Sequence, residues 1–175
     1  MHPVRRFVVL FGVFVPLTLL SACAGGGGAS GAAALPKLSP DEQAYADEIT
    51  GNVNSQMPIE QARCAGAGWV KTLGLKRAKE LDLANIKSKA PSATAAEAEK
   101  LYEVFDKCAD ARLVLMRSAK ANAGLTDAQV ISCAQVLDAA ATKTYFLTVF
   151  QGKETGETDK TLTKQLNTTI AKCGK

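Results

Sequence analysis

Between residues 39 and 173, apolar side chains recur roughly every three to four positions, broken by short polar stretches that carry proline or glycine. That period belongs to amphipathic helices, and no segment alternates at period two for long enough to argue a strand. Start signals sharpen the boundaries. Ser39-Pro40-Asp41-Glu42 combines a capping box, a proline at the first helical position and acids in the first turn, and it predicts a helix over 40–52. In MPIEQARC, Pro58 opens a second helix with Met57 at its cap. It runs to Leu73 and turns Ile59, Ala62, Ala67, Val70 and Leu73 inward. Gly66 and Gly68 each lower its intrinsic helicity by about 1 kcal/mol, which a closely packed neighbour would offset.

Further along, LKRAKELDL reads as a short helix and NIKSKAPSA as a loop. Thr94 and Glu97 form a capping box within a long helix predicted over 93–121. Thr126 and Gln129 form another for a helix over 127–150. Its end, TKTYFLTVF, is β-branched and aromatic but continues the helical pattern. A last helix covers 160–173, with Asp159 as its cap. The expected fold is all-α: one bundle of five or six helices with short connections.

Four cysteines fall on these helices. Cys64 and Cys133 each lie seven residues beyond a helix cap, and Cys108 and Cys173 each lie fourteen beyond one. Leu101, Val104, Phe105 and Cys108 share a face, as do Leu162, Leu166, Ile170 and Cys173. The chain therefore reads as a degenerate two-fold repeat. Four cysteines allow three pairings. A repeat bonds most simply within itself, which favours Cys64–Cys108 and Cys133–Cys173. Zinc is the competing use, but structural zinc sites bring ligands in close pairs, commonly with histidine. Here the cysteines are far apart, and the one histidine is His2.

The amino-terminal residues change the picture again. Arg5 and Arg6 precede an apolar run, FVVLFGVFVPLTLL, and small residues follow it, as in an export signal. The run is short for a membrane span and contains Pro16. It ends in LSAC, which resembles the lipobox of bacterial lipoproteins. The resemblance implies that residues 1–22 are removed and that Cys23 carries the lipid. Residues 23–38, rich in glycine and alanine, then form a flexible tether, whose 15 or so residues span about 20 Å. Residues 39–175 form the helical domain. The expected location is the extracytoplasmic face of the cell membrane, an oxidising setting in which disulfides persist.

The 21 basic side chains include Arg5 and Arg6, so the chain beyond residue 22 has nineteen against 17 acidic ones. That balance gives no basic surface for nucleic acid. ARCAGAGWVKTLGLKRAKELDL, with its cysteine, tryptophan and glycine spacing, VFDKCADARLVL, LTDAQVISCAQVLD and LNTTIAKC resemble a loose group of small exported actinobacterial proteins. The group carries no established activity, and Lys71 stands where those proteins commonly have an acid.

Catalytic chemistry finds little to work with. Loss of His2 with the leader excludes Ser-His-Asp and Cys-His arrangements. Gly25 to Gly28 precede no strand–helix unit, so they make no phosphate loop. Ser118 with Lys120 and Ser88 with Lys89 are too close along the chain to face each other on a helix. Asp106 and Asp110, one turn apart with Glu103 nearby, form a carboxylate pair suited to acid–base work or to a cation. Trp69 and Tyr102 are candidates to line a ligand pocket, and Phe146 and Phe150 to form an exposed partner patch. The expected function is a lipid-anchored, non-enzymatic binding or interaction module of the envelope, without cofactor or metal. Its partners would be the membrane, through the lipid, and an unidentified envelope protein or small ligand. The alternative is a carboxylate-dependent hydrolase or metal-assisted enzyme of the cell wall.

Overall fold

The computed structural model describes residues 35–86, 89–153 and 157–173. Among them every regular element is helical. The order is α1 (Pro40–Val53), α2 (Ile59–Leu73), α3 (Leu75–Glu80), a 3₁₀ turn (Leu83–Asn85), α4 (Ala95–Cys108), α5 (Ala111–Ala123), α6 (Asp127–Gln135), α7 (Ala139–Phe150) and α8 (Glu157–Cys173). The three predicted capping boxes are present at Ser39, Thr94 and Thr126, each with both reciprocal hydrogen bonds. α2 starts one residue later than expected, with Pro58 rather than Met57 at the cap.

Two predicted long helices are each broken in two, which raises the count of α-helices to eight among the described residues. The 93–121 segment divides at Ala109 and Asp110, both in extended backbone. The Asp110 carboxylate accepts from the backbone N–H of Arg112 at 3.0 Å and of Leu113 at 3.4 Å, and so starts α5. The 127–150 segment divides before Asp138, whose carboxylate accepts from the Ala141 N–H at 2.7 Å. In both places the apolar period continues across the break. An aspartate that satisfies orphan N–H groups at a helix start outcompetes continuation, because it is a poor interior residue and a strong cap.

The first half is built by α1 to α4. α1 crosses α2 at Gly66, where an added Cβ would meet the Ala46 carbonyl oxygen at 2.8 Å. α4 crosses at Gly68, where it would meet a Val104 methyl at 2.5 Å. The expected close neighbours are therefore present at both glycines. Buried Tyr45 donates its hydroxyl to the Ala78 carbonyl at 3.1 Å and accepts from the Ala84 N–H at 3.4 Å, which bolts α1 to α3 and the 3₁₀ turn. Arg77 on α3 reaches Glu97 on α4 through two hydrogen bonds, of 2.8 and 3.1 Å. With the Arg77 bonds first, and then the Thr94 backbone N–H, the Glu97 carboxyl is held at about 2.

Among the described residues, the core of the second half is smaller. Leu115, Met116, Leu125, Val130, Cys133, Ala134 and Leu137 form its buried core, and Leu166, Ile170 and Cys173 of α8 pack against it only partly buried. The two disulfides are Cys64–Cys108 and Cys133–Cys173, each with Cα atoms 5.5 Å apart. Each joins the second turn of one helix to the last described residue of a later one, but the predicted cap spacing is not kept, because α2 is capped at Pro58 and α8 starts at Glu157, which places Asp159 inside the helix rather than at its cap. α7 lies where the halves meet, and its Phe146 packs against both cores.

Candidate functional site

The most distinctive feature of this junction is an aromatic cavity. Trp69 from α2, Phe105 from α4, and Tyr145, Phe146 and Phe150 from α7 line a space of about 260 Å³. Local sequence explains the convergence. Tyr145, Phe146, Val149 and Phe150 fall on one stripe of α7 at helical spacing. The N–H of Ala93 donates to the Phe150 carbonyl at 3.0 Å, which ties the end of α7 to the approach of α4. The rings hold one another in place. Trp69 meets Phe150 edge-on with centroids 5.7 Å apart, and Phe105 meets Phe146 at 4.8 Å. The Trp69 indole N–H donates to the Leu101 carbonyl at 2.9 Å, so that ring is fixed in orientation.

Among the described residues, no side chain lining this cavity is charged. Its polar lining comprises Gln56, just beyond α1, Ser118 on α5 and the phenol of Tyr145. Ser118 is exposed and marks where the cavity meets solvent. Its hydroxyl donates to the Val114 carbonyl at 3.1 Å, while Lys120 reaches Asp127 at 2.7 Å. The two do not form a nucleophile–base pair. Ser88, of the other imagined pair, lies outside the described residues.

The four predicted aromatic site residues separate. Trp69, Phe146 and Phe150 line the cavity together, but Tyr102 does not. It touches the cluster through Phe146, with centroids 6.4 Å apart, and faces a different cleft. Phe150 is 2% exposed and Phe146 only partly exposed, so the expected exposed partner patch does not exist: both rings are consumed by packing at the junction. Phe105, Tyr145, Gln56 and Ser118 are wall residues that sequence reasoning did not find. The Tyr145 stripe on α7 was readable, but nothing local shows which face of α7 meets α4.

The second cleft, about 760 Å³, holds Tyr102, Asp106 and Asp110 together with Arg112. Glu103 is exposed and does not line it. The Tyr102 hydroxyl donates to Asp106 at 3.4 Å. Burial, followed by the Asp106 charge, pushes the Tyr102 phenol up to about 12, so it stays a neutral donor at physiological pH. Asp110 is committed elsewhere. It caps α5 and lies 3.4 Å from the Arg112 guanidinium. Among the described residues, no group of three or more His, Cys, Asp or Glu could hold a metal ion. Cys23, with the leader and most of the tether, lies outside the described residues. Within them, no helix is long and apolar enough to cross a membrane.

Comparison with protein-family models, with curated proteins and with solved structures gives no match to this chain.

Proposed function

We propose that this chain is a lipid-anchored, extracytoplasmic binding module that takes a small ligand into the aromatic cavity between its two disulfide-bonded halves. The observation that carries this reading is a space of about 260 Å³ walled by five aromatic rings, with no charged side chain among its described lining residues and with exposed Ser118 at its edge. Apolar concave sites with a few polar groups are the usual form of small-molecule pockets. Two disulfides in a small helical domain support an oxidising compartment. LSAC at the end of an apolar leader supports attachment through Cys23.

Fractionation of cells expressing the wild type and Cys23→Ser tests the anchor. The wild type is expected in the membrane fraction, with an intact mass that includes the acyl groups, and the variant is expected to be released. A Cys23→Ser protein that stays with the membrane overturns the anchor.

One observation favours a second reading as a carboxylate-dependent hydrolase or metal-assisted enzyme of the cell wall: Asp106 and Asp110 line one cleft. Asp110 is held by its cap and Arg112 contacts, so Asp106, which accepts only from the Tyr102 hydroxyl among the side-chain bonds described, is the carboxylate of that pair to test. Hydrolysis of cell-wall glycan or peptide by the wild type, lost in Asp106→Asn, would establish the enzyme reading.

A further inference from the structure

We infer that the aromatic cavity selects a neutral, mainly apolar molecule of about ten non-hydrogen atoms and discriminates against the corresponding anion. This rests on the binding-module reading and adds the ligand's charge and size to it.

The size follows from the volume. An apolar protein cavity of roughly 150 Å³ accommodates benzene. A space of about 260 Å³ therefore takes a molecule somewhat less than twice as large. That is a medium-chain alcohol or a compact aromatic, smaller than the ligands of typical drug-sized pockets.

The charge follows from the walls. Trp69, Phe105, Phe146 and Phe150 offer ring faces and edges, and among the described residues no Lys, Arg, Asp or Glu lines the space. Arg117, beside Ser118 on α5, is not among the lining residues. A carboxylate drawn inside would lose its hydration without gaining a counter-charge, a far larger cost than that of a hydroxyl, which one hydrogen bond offsets. The polar side chains at hand are neutral: the Gln56 amide and the Ser118 hydroxyl. These suit one uncharged donor–acceptor group at the end of an apolar body. The Ser118 hydroxyl already donates to Val114, so it remains available to accept.

The chain supplies its own reporter. Trp69 is the one tryptophan, and it forms part of the wall. The experiment uses the full chain carrying Cys23→Ser, with both disulfides intact, titrated with 1-octanol and with octanoate at pH 8. Binding is followed by calorimetry and by Trp69 emission. Octanol is expected to bind with a shift in emission, and octanoate at least tenfold more weakly. Val149→Phe, which fills the space from α7, is expected to abolish octanol binding while the thermal transition persists. Should that variant fail to fold, Ser118→Phe at the exposed mouth replaces it. Octanoate binding as tightly as octanol overturns the charge selection and leaves the binding reading standing. Octanol binding undiminished in the filled variant overturns the assignment to this cavity. If neither compound produces heat or an emission change, the cavity takes no apolar ligand and the binding reading falls with the inference.

Discussion

The Cys64–Cys108 and Cys133–Cys173 bridges occupy matching helical positions, yet they join very different structures. The first connects helices that already interlock: α2 and α4 meet at Gly68, Trp69 hydrogen-bonds to Leu101 across the same contact, and Ile49, Val70 and Leu101 are fully buried nearby. The second connects α6 to a helix whose apolar residues Leu166 and Ile170 are only partly buried. Equivalent crosslinks therefore do unequal work. In the first half the bridge adds to a core that fixes the same geometry. In the second it supplies much of what holds α8. The cavity opens where the two regimes meet, because rings anchored in the dense half face a half too small to fill the space between them.

The largest expected effect breaks the dense half. Trp69→Ala removes a ring that is 2% exposed and should cost about 4 kcal/mol in chemical denaturation followed by circular dichroism. Met116→Ala, fully buried in the smaller core, should cost about 2 kcal/mol, since a small core collapses more easily around a deletion. Equal losses would contradict the asymmetry.

Next come the bridges. Sequence separations of 44 and 40 imply about 4 kcal/mol each in the chain-entropy model. Hydrogen exchange separates them. The Cys133→Ser/Cys173→Ser pair should strip protection from α8, whereas Cys64→Ser/Cys108→Ser should leave α2 and α4 protected although less stable overall. Persistent protection of α8 without its bridge would remove the distinction drawn between the halves.

Smaller still is Gly66→Ala. The new methyl meets the Ala46 carbonyl at 2.8 Å, so the helix crossing must shift, at about 2 kcal/mol. Gly51→Ala, which meets nothing within 4 Å, should instead stabilise α1 by about 0.5–1 kcal/mol. Thermal melts of the two variants sharpen the account of where the dense half is tight.

The smallest effect concerns Glu97, which joins a helix cap to the partly exposed Arg77. Glu97→Gln should cost about 1 kcal/mol, with the ion pair counted at the low value that exposure to water leaves it. Folding holds this carboxyl below its ordinary 4.5, at about 2, so the folded chain binds that proton more weakly than the unfolded one. Its contribution is complete above pH 4.5 and disappears as pH falls towards 2. Wild type and Glu97→Gln should therefore converge in stability across that window. A difference that stays constant down to pH 2 would remove the ion pair from the account.

Much of this fold was legible because its signals are short-range. The caps at Ser39, Thr94 and Thr126 act over three residues, and the helical period is set by local geometry. The breaks at Asp110 and Asp138 were not, since apolar periodicity runs through both and an aspartate reads alike on a helix face and at a cap. Of the candidate site, the aromatic residues were readable but their grouping was not. Tyr102 is one residue from Leu101, whose carbonyl receives the Trp69 N–H, yet its ring faces another cleft.

Local spacing and repetition in the chain were enough for the helical class, the capping boxes at Ser39, Thr94 and Thr126, a preference among the three cysteine pairings and the leader's resemblance to an anchoring signal. Tertiary structure alone decided the two extra helix breaks, the burial of Phe150 and the existence of the cavity. A cavity is what remains after distant helices have packed, so no single stretch of chain encodes it.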